Sequence, residues 1–163
     1  MNGSAALASH IGAGSGAGRI LAIDYGQKRL GLALSDPLRV TAQPFATWRR
    51  SNRRRDLARL RDLCREQGVG LILVGLPMHL EGANSAMAAE ASRFAELVRA
   101  EVGKPVELVD ERLSSWEAEQ ALGENGLVTS RSRERRRHKL DEVAAAVILR
   151  DYLQSQENKR LGA

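Results

Sequence analysis

The sequence predicts an α/β fold, a mixed sheet of five strands covered by helices on both faces. Three observations predict it. Short apolar runs without alternation recur along the chain, as expected of strands buried on both sides. Two of these runs stand back to back around a glycine-containing turn, so the sheet begins antiparallel. After them, apolar runs alternate with amphipathic helical stretches, which is the pattern of parallel β-α units. The order read along the chain is β-β-β-α-β-α-β-α-α, with one domain over residues 19–155 and no internal repeat. A chain of 163 residues is long enough to bury a core of that kind.

Residues 1–18 are Gly, Ala and Ser rich and read as a flexible tail; residues 156–163 read as a short C-terminal tail. The tail's "GAGSGA" matches a dinucleotide-binding glycine pattern only formally, because no strand precedes it and no helix follows. Residues 20–24 form the first strand and end on Asp24. Residues 25–29, with Gly26, form the turn, and residues 30–35 return. Residues 40–48 contain Pro44 and suit an edge strand; Trp48 there reads as core or rim packing rather than a base-stacking platform. In "SNRRRDLARLRDLCREQG", Leu57, Leu60, Leu63 and Cys64 share a helical stripe and Gly68 is the stop signal. Residues 71–74 are a buried strand. Residues 84–102 carry Met87, Ala91, Phe94 and Val98 at helical spacing, with Met87 and Phe94 as core. Residues 106–109 form a strand that ends on Asp110 and Glu111. Ser114 with Glu117 makes a capping-box signature for a helix reaching Leu122. Residues 123–138 read as a polar, strongly basic loop. Leu140, Val143, Ala144, Val147 and Ile148 mark a last helix ending near Leu153.

The net charge of +5 and the pI near 10.0 point to a polyanionic partner. A single cysteine, Cys64, excludes an internal disulfide, fits a reducing compartment and reads as a small buried hydrophobe. No apolar stretch is long enough for a membrane span, so the expected setting is the cytoplasm, with no membrane partner.

Asp24 closes the first strand, Asp110 and Glu111 close the last, and Asp141 opens the last helix. In sheets with parallel strands, sites form beyond the carboxyl ends. Asp24 and Glu111 would share that rim if their strands neighbour, and the helix dipole would favour Asp141 in its ionised form. Asp141 shares a helical face with Ala145, Ile148 and Tyr152, and the small residues Ala144, Ala145 and Ala146 let this helix approach the sheet. Three converging carboxylates need a cation between them, and Mg²⁺ or Mn²⁺ is the simplest hard ion for oxygen donors. Zinc is disfavoured, because His10, His79 and His138 are scattered and there is one cysteine. Carboxylate-bound metal in a basic protein describes a phosphodiester hydrolase. Each acid also has an ordinary reading: a turn former, a pair ahead of a helix cap, a helix-start acid.

Four blocks, "IDYGQKRLGLALSD", "VGLPMHLEG", "VDERLSSWEA" and "HKLDEVAAAVILRDYL", together resemble the YqgF (RuvX) family in order and spacing, from about Arg19 to Leu153. The resemblance implies a ribonuclease H-like fold related to RuvC-type Holliday junction resolvases. It also implies a nuclease that trims the 5′ end of pre-16S rRNA in ribosome biogenesis, with branched DNA as the alternative substrate and ribosomal particles as partners. Carried over residue by residue, the resemblance makes Asp24, Glu111 and Asp141 the catalytic and metal-binding acids. Asp110 and His138 stand behind them. Lys28 and Arg29 suit phosphate contacts, their ordinary alternative being turn solvation. Arg112 is a phosphate ligand or the partner of a neighbouring acid, and Ser114 is a helix cap. Resolvases often carry a further acid three residues before the helix acid; this chain has His138 there, which leaves three acids for the metal. The run "SRSRERRRHK", with Arg135, Arg136, Arg137 and Lys139, reads as a phosphate-tracking segment, and "RRSNRRR" from Arg49 to Arg55 extends that track. With two Trp, two Tyr and two Phe, stacking on single-stranded bases has little material.

Two rivals remain at this point. "DYGQKRLG" also resembles the first phosphate-binding turn of actin-like ATPases and sugar kinases, but that architecture needs two facing domains. A non-catalytic module gripping RNA or a transcription complex would use the acids only structurally.

Overall fold

The computed structural model of the chain describes residues 17–76, 83–110 and 130–162, without the side chains of residues 83–85, 110, 130–134 and 136–138. The hairpin comes first. β1 (Arg19–Tyr25) turns through Gly26, Gln27 and Lys28 into β2 (Arg29–Ser35), pairing Tyr25 with Leu30 and Asp24 with Gly31. β3 (Ala42–Arg49) then pairs antiparallel with β2. Its register slips where Leu32 faces Ala46 and Ala33 faces Pro44, so Phe45 is the extra residue of a bulge. The edge position expected from Pro44 is what the sheet order shows, β3-β2-β1-β4-β5.

Helix α1 (Arg53–Gln67) starts where Asn52, in extended conformation, accepts the Arg55 amide through its side chain. It ends at Gly68, whose φ of 64° is the left-handed cap that only glycine adopts without strain. β4 (Val69–Leu76) follows and pairs parallel with β1, then α2 (Ala83–Val102) leads to β5 (Val106–Asp110), which pairs parallel with β4. The first strand is therefore central. The last described element is α3 (Ser130–Leu161).

Alternation along the central strands splits the core in two. Leu21 and Ile23 of β1 point to the face covered by α1 and α2, with Leu60, Phe94 and Val98. Ile20 and Ala22 point to the opposite face, under Ala145, Ile148 and Leu149 of α3. Helices thus cover both faces of the five-stranded sheet, as expected. Phe94 is buried, Met87 half-buried, and Trp48 packs at the core margin with the Arg59 guanidinium 4.0 Å above its ring.

The last helix departs from expectation. It begins at Ser130, so the basic run is helical rather than a loop, and it runs through Leu161 into the stretch read as a tail. The physical reason is composition. The run contains neither Gly nor Pro, and Arg, Lys and Glu are good helix formers, so nothing in it interrupts the helix. Asp141 therefore sits well inside the helix, where the N-terminal dipole that was expected to favour its charge does not reach. The helix expected from Ser114 to Leu122 lies outside the described residues.

Cys64 faces the core, 4 % exposed, and burial pushes its thiol up to about 11 against the pull of the Lys104 charge. The folded chain holds that proton to higher pH than the unfolded chain, whose thiol ionises near 9. The resulting stability is whole below pH 9 and fades as the pH rises toward 11. Denaturant titrations from pH 8 to 11 are expected to show the wild type losing on the order of 2 kcal/mol more than Cys64→Ala. Equal losses would refute a buried, neutral thiol.

Candidate active site

Strand alternation puts Ile20, Ala22 and then Asp24 on the α3 face of β1. Residues directly opposed in an antiparallel pair point to the same side, so Gly31, opposite Asp24, also faces α3. Above Gly31 lies Asp141. A Cβ built on Gly31 would overlap the Asp141 carbonyl oxygen and come within 3.0 Å of the Asp141 Cβ. The two acids, far apart in sequence, thus meet around one backbone position that carries no side chain.

Arg29, two residues before Gly31 on the same face of β2, donates from Nε to Oδ2 of Asp141 at 2.6 Å. Both side chains are about a quarter exposed, at 24 % and 22 %. A charge-assisted bond of that length fixes the carboxylate and supplies the cation its partly dry surroundings require. Asp24 is half-buried and is also engaged by the chain. The sheet rim continues beside it. Ile23 pairs with Val74, Val74 with Leu108, and Leu76 with Asp110, so β1, β4 and β5 all end at one edge. Val109 packs against the core under α3.

The structure joins Arg29 to Asp141 and seats Asp141 over Gly31, the hairpin partner of Asp24, with Lys28 exposed on the adjoining turn. Arg135 and Lys139, one helical turn apart, are exposed on α3. Glu111 and Arg112 lie outside the described residues, as do the side chains of Asp110, Arg136, Arg137 and His138. Among the described residues no group of three His, Cys, Asp or Glu side chains is close enough to hold a metal.

Two contributors escaped the sequence reading. Gly31 could have been found by hairpin arithmetic only with the right loop length, since the four-residue connection from Gly26 to Arg29 pairs residue 25 with residue 30 and residue 24 with residue 31. Arg50 could not. It donates to the Tyr25 hydroxyl and the Gly26 carbonyl, both at 3.1 Å, and to buried Asp56 at 3.2 Å. Its guanidinium also lies 5.1 Å from the Tyr25 ring centre and 5.5 Å from that of Phe94. It thereby ties the β1–β2 turn to the start of α1.

Comparison with known proteins adds four findings. The family described as "RuvX: Holliday junction resolvase" matches residues 18–155. A protein of Koribacter versatilis named "Putative pre-16S rRNA nuclease" is 42 % identical over 137 residues, covering 84 % of this chain and 87 % of its own length. A Moorella thermoacetica protein of the same name is 46 % identical over 135 residues, covering 83 % and 94 %. Among solved structures, the T. thermophilus RuvC in complex with a Holliday junction substrate superposes with a TM-score of 0.54 at 16 % identity, covering 85 % of this chain and 95 % of that one. At that identity the likeness speaks for the fold.

Gly31→Ala tests the geometry around Asp141. The added methyl has no room unless α3 moves off the sheet, so a loss of about 2 kcal/mol or more in denaturant stability is expected. A loss below 0.5 kcal/mol, the size of an ordinary surface change, would show that the helix does not bear on this position.

Proposed function

The chain belongs to the RuvX family, and on that premise we propose that it is a metal-dependent endonuclease acting on the 5′ side of pre-16S rRNA during ribosome biogenesis. The observation that supports this reading is that Gly31 pairs with Asp24 in the hairpin and lies against Asp141 of α3, at the rim where β1, β4 and β5 end. The names of relatives at 42 % and 46 % identity support the RNA substrate. The family's own description and the RuvC-like fold favour branched DNA as the second substrate. The setting in this reading is the cytoplasm; among the described residues no helix is long and apolar enough to cross a membrane.

The donor set fits a hard divalent ion. Its three acids offer carboxylate oxygens alone, the ligands a hard ion prefers. Asp24, Asp141 and Glu111, the residue after Asp110 at the end of β5, would hold Mg²⁺ or Mn²⁺, with Asp110 and His138 behind them. When bound, the ion activates water and stabilises the charge on the leaving oxygen. The rest is work for the chain. β1 and α3 fix two of the carboxylates before substrate arrives, so little reorganisation accompanies the reaction. Arg29 holds Asp141 in place at 2.6 Å. The Arg29 bond uses Oδ2 of Asp141, which leaves Oδ1 for a ligand role, and Lys28 on the adjoining turn would meet a phosphate oxygen. Arg112, Arg135, Arg136, Arg137 and Lys139 would extend the phosphate contacts along the strand.

Cleavage of a precursor-rRNA mimic and of a four-way DNA junction, each with Mg²⁺, Mn²⁺ or chelator, tests the reading. The wild type is expected to cut the RNA only with metal. Outer partners of a metal site cost tenfold to a hundredfold when removed, so Asp24→Asn is expected to lose at least about a hundredfold in rate while keeping RNA affinity within a few-fold. Cutting of the junction alone would favour the second substrate. A wild type that cuts neither with either metal would sink the nuclease reading.

A further inference from the structure

On the rim where β3 passes into α1, a cavity of about 600 Å³ opens beside the β1–β2 turn, and five cations line it: Lys28, Arg29, Arg49, Arg50 and Arg53. Its two acids, Asp56 and Glu90, are already committed. Asp56, 3 % exposed, accepts from Arg50 at 3.2 Å and from the Ser51 amide at 3.1 Å. Glu90 accepts from the Gln27 amide at 3.3 Å and the Tyr25 hydroxyl at 3.5 Å. Arg29 is bonded to Asp141. Lys28, Arg49 and Arg53 are exposed and pair with nothing among the described residues.

Such an arrangement is unfavourable by itself. The three unpaired cations repel one another across a concave surface. Arg53 begins a run of three arginines in the first turn of α1, where the helix dipole opposes positive charge. The acid of that turn, Asp56, is already bonded to Arg50 and Ser51, so compensation for the exposed arginines is to be sought outside the chain. The compensating group is anionic. The cavity is larger than one phosphate, and it offers no aromatic face for a base, because the Tyr25 ring is taken by Arg50 and Phe94. Charge without stacking suits a sugar–phosphate backbone read without regard to sequence.

We propose that this cavity is a phosphate-backbone subsite that seats the stretch of nucleic acid flanking the cleaved position. This rests on the nuclease reading above. Arg29 joins the two regions, since it lines the cavity and bonds Asp141. A strand cut at Asp24 and Asp141 would carry its neighbouring phosphates over Lys28 to Arg49 and Arg53.

The test measures equilibrium binding of a single-stranded RNA and of a branched DNA by the full 163-residue chain carrying Asp24→Asn, in chelator, across a salt series. Added Arg49→Gln and Arg53→Gln are expected to weaken binding on the order of tenfold at low salt and to reduce the salt slope by about one per cation removed. Arg49→Lys with Arg53→Lys should restore most of both. Lys104→Gln, an exposed cation at the far end of the sheet, should change affinity by less than about twofold. Both arginines are exposed, and matching melting curves would show that folding is intact. Affinity and slope in the double glutamine variant equal to those of Lys104→Gln would overturn the subsite. Binding is read without cleavage. A wild type that never cuts, but binds less tightly without the two arginines, would remove the nuclease reading and keep the subsite.

Discussion

The contact between α3 and β2 at Gly31 governs the rest of the site. Helices usually rest on a sheet through their side chains, and that separation would carry a helical acid away from a strand acid. Here the absence of one side chain brings helix backbone nearly onto strand backbone. Ala144 and Ala145, both almost fully buried, keep the helix low over the following turn. Hairpin pairing fixes Gly31 opposite Asp24, so the height of the helix and the register of the hairpin together set the spacing between the Asp24 and Asp141 backbones. Arg29 belongs to the same device, because the alternation that exposes Gly31 to the helix also aims the side chain two residues earlier at Asp141.

The opposite side of the hairpin is held differently. Arg50 links the Tyr25 hydroxyl, the Gly26 carbonyl and Asp56, while Tyr25 leans on Phe94 with ring centres 5.0 Å apart. Burying the Asp56 carboxylate is costly unless its hydrogen bonds are satisfied, and Arg50 with Ser51 supplies them. One turn is thus anchored to α1 and α2 by its tyrosine and to α3 by its arginine. Its position does not depend on the few residues that compose it, which leaves Lys28 free at the tip.

Much of this was legible in the sequence, and the exceptions have physical causes. The hairpin showed itself because two apolar runs met at a glycine. The burial of β1 on both faces followed from its unalternating apolar run, and the edge place of β3 from Pro44, which cannot donate to a second neighbour. Gly68 announced the end of α1. The start of α3 was misread because ten polar residues without apolar spacing look like a loop, although nothing in them breaks a helix. That error misplaced Asp141 at a helix terminus and attached to it a dipole it does not feel. A convergence of Asp24 with Asp141 was expected from their places at element ends and again from the resemblance, whereas the close approach of Asp141 to β2, allowed by a missing Cβ at residue 31, is a property of packing that periodicity cannot express. The cavity at Arg49 and Arg53 was hidden for a similar reason. The basic run was plain, but only the fold curves it around a hollow.

The bond from Arg29 to Asp141 spans 112 residues of chain, whereas Asp24 and Gly31 are joined by a tight hairpin. Loop closure makes the long link costlier in chain entropy by about 2 to 3 kcal/mol. The two halves of the site therefore differ in when they can exist. The hairpin half needs only the first forty residues or so and forms on the timescale of a local turn. The helical half must wait until nearly all of the polypeptide has been made and has found its seat on the sheet. During synthesis the chain thus holds its acids apart until the last helix docks.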